Sequence, residues 1–371
     1  MNVPDWRERA HRVVQDFIAP LARSIDRTHT VPRSIGKRLA EEGFFGLAIP
    51  TEYGGAAASA QDIAGVLEEI AFGSLSVATD LAVHLSVASA PIARWGTSEQ
   101  KERWLPAMAR GECLGAFALT EPGVGSDAQH LTTRYTREGD RVRLDGSKIF
   151  ITNGGTARIV LVFATRDPGL EAKGISCFLV EHGTPGFSVT KRLEKLGLLG
   201  SETTELLFDG CRVEGSSMLG PEGRGFEIAM TALEGGRVGI SATSLGVARA
   251  ALALLSARVR MGSEDWRKSV LARAHVSVEA ASALVDRAAK LKDAGKDYGL
   301  AASAAKLFCS QVAFDVARRA YDFTVELSTD PDERAAAECV FRDARVLTIV
   351  EGTTEIQELI LGRKLSAPRA R

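Results

Sequence analysis

Histidine and cysteine are scarce in this chain and poorly placed for holding metal. The six histidines, His11, His29, His84, His130, His182 and His275, lie far apart, and none forms HExxH-like spacing. The five cysteines, Cys113, Cys177, Cys211, Cys309 and Cys339, are odd in number and contain no CxxC pair. No metal site and no disulfide framework is therefore expected, and buried reduced thiols are. An excess of either charge is also missing. The 46 Lys and Arg against 47 Asp and Glu leave a net charge of −1, which gives nucleic acid nothing to favour. No apolar run approaches the roughly 18 residues of a spanning helix, so no membrane insertion is expected. The first residues carry acidic groups and no apolar h-region, and the last carry no peroxisomal or prenylation signature; cytoplasm is the expected address.

What is present is ordinary globular material: 371 residues, 45% hydrophobic and 25% charged, two to three domain lengths with ample core. The texture changes twice. Residues 1–112 read as helices. Val13, Phe17, Ile18 and Leu21 are at helical spacing, Pro32 suits a helix start, and Ile63, Val66, Leu67, Ile70 and Ala71 form a stripe. A more uniformly apolar helix is expected from about Val77 to Trp95, with breaks at Gly54-Gly55 and Gly96-Thr97-Ser98.

From 113 to 225 the period turns toward two. Arg134–Arg137 and Arg141–Leu144 flank Glu138-Gly139-Asp140 as a hairpin, and Asp145-Gly146 reads as a turn before Ile149-Phe150-Ile151. Ile159–Phe163, Ile175–Val180 and Glu205–Phe208 are further strands, which suggests a compact β-barrel or sandwich. From 226 to 371 long Ala/Leu/Val-rich segments (about 237–259, 266–293 and 298–327) and two shorter ones (333–348 and 354–364) suit an antiparallel bundle. The fold class read from these textures is α+β.

Three places could carry chemistry. Gly123-Val-Gly125-Ser-Asp-Ala128 matches GxGxxA after a strand, Leu114 to Thr120, but it leads into a hairpin rather than a βαβ unit, so a Rossmann loop is not expected. The alternatives are a plain glycine turn, or a cofactor loop at a barrel rim whose free N–H groups and hydroxyls face a phosphate or heteroaromatic edge. Lys148-Ile-Phe-Ile-Thr-Asn153 taken alone is an ordinary strand with Phe150 in the core and Thr152 a strand hydroxyl. Read functionally, the two share a face and could lie against a flat ring. In the third place, an apolar run Val346–Val350 carries Glu351 to a helix break, with Thr354 and Gln357 fitting a capping box. Glu351 there is either a surface or capping glutamate, or a carboxylate positioned and desolvated as a general base.

Assembled in order, these motifs resemble the acyl-CoA dehydrogenase family of flavoproteins. The carriers are Pro50–Gly55 (PTEYGG), Gln100–Leu105 (QKERWL), Ala116–Asp127 (AFALTEPGVGSD), Lys148–Gly154 (KIFITNG), Gly220–Phe226 (GPEGRGF), Arg342–Arg345 (RDAR) and Glu351–Gln357 (EGTTEIQ). The resemblance spans essentially the whole chain. It implies an N-terminal all-α domain, a central β-barrel and a C-terminal four-helix bundle, with FAD between barrel and bundle. It implies cofactor contacts from Phe117, Leu119, Thr120, Gly125, Ser126, Phe150 (where the family usually has Trp), Ile151, Thr152, Thr353 and Glu355. Ser126, Glu234 and Arg237 are implied along the substrate's path.

The resemblance further implies that Glu351 takes the α-proton of an acyl-CoA or acyl-carrier-protein thioester while the β-hydride passes to flavin N5. Some relatives place the base immediately before the residue matching Arg237, where this chain has Gly236. An electron acceptor, electron-transfer flavoprotein or another, and a homodimer or homotetramer are implied as partners. A flavin monooxygenase or nitroalkane-oxidase-like enzyme, or a flavin-depleted non-catalytic relative, are the competing expectations. Two departures touch the family's cross-subunit cofactor cradle: Arg258–Trp266 lacks the usual Gln-Phe, and 324–330 lacks the usual glycine pair. FAD is accordingly expected to leave more readily than from typical relatives.

Overall fold

The computed structural model describes residues 5–259 and 264–366. The interhelical break expected at 260–265 and the altered stretch 258–266 therefore lie partly outside the described residues.

The N-terminal part is helical: α1 (Trp6–Val13), α2 (Ala22–Thr28), α3 (Arg33–Glu41), α4 (Ala60–Gly73), α5 (Leu75–Ala82), α6 (Ala90–Trp95) and α7 (Ser98–Ala109). A π-helical stretch, Val83–Ser89, joins α5 to α6 as one long buried rod. Within it the Ser86 and Ser89 hydroxyls donate back to the carbonyls of Ala82 and Leu85. Thr97 caps α7 reciprocally with Gln100. The amide of Gln100 also donates to Ser216 O and Met218 O, tying this domain to the end of the strand region.

The strands are β1 (Gly115–Ala118), β2 (Arg134–Glu138), β3 (Arg141–Thr152), β4 (Ile159–Thr165), β5 (Ile175–Glu181), β6 (Phe187–Arg192), β7 (Thr203–Glu214) and β8 (Met218–Leu219). They form one mixed sheet in the order β6-β7-β3-β2-β4-β5-β8, with β1 parallel to β4. The sheet wraps a single interior to which β1, β2, β3, β4, β5 and β7 all contribute, among them Ala116, Tyr135, Leu144, Val162, Phe178 and Phe208. The turn expected at Asp145-Gly146 is absent: both residues lie inside β3, at a bulge against β7. Gly146 is needed there because a Cβ would sit 2.7 Å from Thr133 Cα, and the Asp145 carboxylate accepts the Gly210 N–H across the bulge.

The C-terminal part holds α8 (Gly225–Val259), α9 (Asp265–Asp293), α10 (Gly299–Leu327), α11 (Pro331–Val346) and α12 (Thr354–Ser366). Helix α8 begins about three turns before 237, because the Gly235-Gly236 pair does not break it. It is the central rod of the molecule and is buried on most sides from Gly236 to Ala248. Gly246 lets α4 approach so closely that a Cβ would meet Glu68 O at 2.2 Å. The buried carboxylates of Glu68 and Glu69 on α4 are met by Arg249 of α8 and Arg7 of α1, which locks the three helices together.

With helix extents known, the expectation about apolar runs needs correction. Leu75–Trp95, Gly225–Val259 and Gly299–Leu327 each reach spanning length and mean hydropathy, at 1.4, 1.6 and 1.2. Small residues and scattered hydroxyls hide this from a search for unbroken apolar runs. In the fold 72, 78 and 61% of those windows are buried inside the protein, which accounts for their composition. The cysteines are free thiols, four of them buried.

Candidate active site

Beyond β1 the chain forms an exposed loop whose anchor is internal. Lys148 of β3 is fully buried, and its ammonium donates to Leu119 O (3.0 Å) and to Glu121 Oε1 (2.8 Å). Glu121 also accepts from Thr132 N and Oγ1, both at 2.6 Å, and from Thr133 N at 2.8 Å. Burial pushes the Glu121 carboxyl up, but the Lys148 ammonium and these donors outweigh it and hold it down at about 2. From this fixed root the loop projects Pro122, Gly123, Gly125, Ser126 and Asp127 outward, and a Cβ on either glycine would meet nothing within 4 Å. A 3-10 turn (Ala128–His130) and then β2 follow, so the GxGxxA pattern opens no long helix. Replacing Lys148 by Met strands the Glu121 carboxylate, and we expect a loss of about 3–5 kcal/mol of stability, read by denaturant unfolding.

The same root binds β3, because Ile149 N donates to Thr120 O at 2.9 Å. Phe150 is not core. It is 65% exposed, at φ +60, on a bulge that shifts register between Lys148 and Ile151. Asn153, at φ +61, donates to Asp80 O and Gly115 O and so holds the far side of this strained edge. Two non-glycine residues with positive φ within four positions are held by surrounding bonds, as at ligand-binding edges. Ile151 is buried and Thr152 half-buried. The hydroxyls of Ser126 and Thr152 bond no other described residue. Phe117 tilts against Phe163 (4.8 Å), and Phe117, Val124 and, from the start of α8, Phe226, Met230 and Leu233 all pack against one buried cluster that includes Leu119, Ile228 and Ala229.

Glu351 lies in the turn between α11 and α12 at φ +53, followed by Gly352 at φ +93. The preceding run is only partly buried: Leu347 is 1% exposed and Ile349 50%. The cap of α12 is Thr353 rather than Thr354, since Thr353 Oγ1 accepts from Ile356 N and its carbonyl from Gln357 N. The Gln357 amide instead turns back to the carbonyls of Glu351 (3.3 Å) and Gly352 (3.1 Å). Glu351 Oε2 is sealed from solvent and has no hydrogen-bond partner among the described residues. Burial pushes the carboxyl up to about 8, and the attraction of Arg237, Lys306 and Lys292 only partly offsets it.

The carboxylate points at α8: a Cβ built on Gly236 would lie 2.0 Å from Glu351 Oε2. Arg237 is 9% exposed, with Nε unpartnered among the described residues. Glu234 lies one turn away toward Gly299 and Lys364. Between α4, α6 and α8 lies a cavity of about 150 Å³. Ile63, Leu67, Leu85 and Val238 line it, with Gly235 and Gly239 flanking Gly236 and Lys292 and Tyr298 on one wall.

Of the residues singled out from sequence, Phe117, Leu119, Thr120, Gly125, Ser126, Phe150, Ile151 and Thr152 gather around one barrel edge, and Glu351 meets the Gly236–Arg237 step of α8. Among the described residues no hydrogen bond joins the Thr353–Glu355 turn to the barrel loop. Lys148, Glu121, Lys292 and Lys306 were given no role from sequence, and Gln357 was read as half of a capping box rather than as a donor to the Glu351 turn. Lys306 could have been, since it interrupts the small apolar face Ala302, Ala305, Cys309 of α10. One residue from each of the two departing stretches meets Glu333: Arg258 pairs with it through two bonds (2.6 and 2.7 Å), and Ser328 donates to the same carboxylate.

An exposed ring on strained backbone, a loop with bare glycines and a free hydroxyl, and Thr152 beside them fit the flat ring and edge of a flavin. Residues 4–112, 116–211 and 223–366 match, in turn, the N-terminal, middle and C-terminal domain families of acyl-CoA dehydrogenase. The chain is 41% identical over 380 residues to an acyl-CoA dehydrogenase of Bacillus subtilis strain 168, covering 98% of this chain and 99% of that protein. It is similar to butyryl-CoA dehydrogenase from Megasphaera elsdenii, with a TM-score of 0.94 at 35% identity, covering 99% of this chain and 100% of that one. It is equally similar (TM-score 0.94, 34% identity, 99% and 100% covered) to a chain solved in work on the electron transferring flavoprotein of Acidaminococcus fermentans.

Proposed function

The chain belongs to the acyl-CoA dehydrogenase family, and from that premise we propose how its residues carry out FAD-dependent α,β-dehydrogenation of an acyl thioester. The observation that carries the reading is the desolvated, unpartnered Glu351 carboxylate facing a bare Gly236. Phe150, Thr152, Ser126, Leu119 and Thr120 would hold the flavin ring at the barrel edge, and the backbone N–H groups of the Thr353–Glu355 turn at the N-terminus of α12 would meet its phosphates. FAD, when bound, supplies the electron sink that takes the β-hydride at N5.

The thioester lies between that edge and α8, its carbonyl oxygen toward the main-chain N–H of Glu351, which donates to no other described residue. Glu351 Oε2 removes the α-proton. General-base action of this kind contributes typically about 10²–10⁴-fold, and a preorganised N–H on the developing oxyanion roughly 10²–10³-fold. Burial that raises Glu351 to about 8 matches the base to a weakly acidic carbon near neutral pH. Glu234 and Arg237 line the approach of the thioester handle.

The small cavity beside Gly236 and the likeness to a butyryl-CoA dehydrogenase favour short acyl-CoA substrates. An electron-transferring flavoprotein is the proposed acceptor, a homodimer or homotetramer the proposed assembly, and the cytoplasm the proposed location. The retained carboxylate at 351 tells against a monooxygenase or nitroalkane-oxidase-like chemistry. An anaerobic titration with butyryl-, hexanoyl- and octanoyl-CoA tests the reading. We expect the yellow protein to bleach, fastest with butyryl-CoA; flavin that stays oxidised with every thioester would refute it.

A further inference from the structure

Lys306 is one of two fully buried lysines among the largest sealed side chains, and the reaction as described gives it no part. The other, Lys148, is paired with a carboxylate. Lys306 is not: its ammonium makes one hydrogen bond among the described residues, to the carbonyl of Gly352 at 2.7 Å. Burying an ammonium for a single neutral acceptor is unfavourable, and a methionine would pack at that position on α10 without the desolvation cost. Burial pushes the Lys306 ammonium down to about 8, as that cost requires.

The carbonyl it holds belongs to the residue after Glu351. Glu351 and Gly352 both have positive φ, and every side-chain bond to their carbonyls comes from two buried groups, Lys306 and Gln357. The turn that aims Oε2 at Gly236 is thus pinned from below by α10 and from behind by α12. Around the Glu351 carboxylate stand Arg237 from α8, Lys292 from α9 and Lys306 from α10, with Glu234 and Glu355 the other charged groups nearby. Arg237 and Lys292 also face Glu234 on the substrate's path. Lys306 lies fully buried beneath the turn, on the side of the Gly352 carbonyl.

We propose that Lys306 is a positioning residue: clamped to the Gly352 carbonyl, its ammonium fixes the left-handed Glu351–Gly352 turn and stands as a fixed cation near the buried Glu351 carboxylate. The inference rests on Glu351 being the base. Two variants separate geometry from charge. Lys306→Gln keeps a donor for the carbonyl and loses the cation; Lys306→Met loses both.

The experiment measures anaerobic flavin reduction by butyryl-CoA against pH, with Glu351→Gln alongside. Losing a cation near a carboxylate raises that carboxylate's midpoint by about one pH unit or more. Lys306→Gln should therefore show a pH profile displaced upward by that amount, roughly tenfold slower at neutral pH, with KM and bound FAD little changed. Lys306→Met should show the same displacement and a lower plateau as well. Wild-type midpoints in both variants, with Glu351→Gln inactive, would overturn the role of Lys306 and leave the base in place. An active Glu351→Gln would overturn the assignment of the base itself. Loss of the folded protein in both lysine variants would also count against the proposal, because it makes the lysine a requirement of the fold.

Discussion

Glu351→Gln is expected to keep its flavin and its thioester binding while flavin reduction by substrate falls about 10²–10⁴-fold or more. The substitution preserves shape, and the φ of +53 is set by the bonds of Lys306 and Gln357 to the turn rather than by the carboxylate. Binding depends on the barrel edge, which the amide does not touch, and on α8, against which glutamine occupies the same volume as glutamate. Water has little access to replace the base, because Oε2 is sealed. A stability signature accompanies the kinetic one. The folded carboxyl is raised from 4.5 to about 8, so the stability it contributes is fully present below the unfolded value and is lost as pH rises through about 8. Glutamine carries no such penalty. Melting compared at about pH 5 and about pH 9 should show the variant gaining on the wild type only at the higher pH. A reduction rate within a few-fold of wild type would mean that the base is misassigned.

Much of the fold was legible in periodicity, since the change from helical to alternating spacing and back reflects which faces are buried. The misreadings were local and share a cause, which is that glycine's effect depends on what lies opposite it. Gly146 reads as a turn and is a bulge packed on Thr133; the helix expected from about 237 starts at Gly225 and runs unbroken through Gly235-Gly236. At the site, Glu351 could be suspected from a helix break, but its desolvation comes from α8, α9 and α10, far away in sequence. Phe150 was ambiguous because strand alternation assigns it to a face, whereas the bulge and positive φ that expose it are set by pairing with β7 and by the bond from Ile149 to Thr120. The ion pair of Glu121 with Lys148 spans 27 residues and has no local pattern at all.

Gly236 carries the other large expected effect. A glycine inside a helix costs roughly 1 kcal/mol relative to alanine, and here it is required because a Cβ would lie 2.0 Å from Glu351 Oε2, 2.6 Å from Cδ and 2.7 Å from Oε1. The two places where the family can put its base are therefore one volume seen from a turn and from a helix, and only one can be filled. Gly236→Ala should already displace the carboxylate and slow flavin reduction at least tenfold with FAD retained. Gly236→Glu on the native background should be worse, forcing two carboxylates into one sealed space, and Glu351→Gln does not relieve it because glutamine occupies the same volume. Glu351→Gly does: it empties the space, and glycine suits the positive φ at 351. The double variant Glu351→Gly with Gly236→Glu should accordingly reduce its flavin at least tenfold faster than Glu351→Gly alone, with the carboxylate now reaching the α-carbon from α8. If the double variant binds FAD and is no faster than Glu351→Gly, or if Gly236→Ala runs at the wild-type rate, then the contact between these two residues does not govern where the base stands.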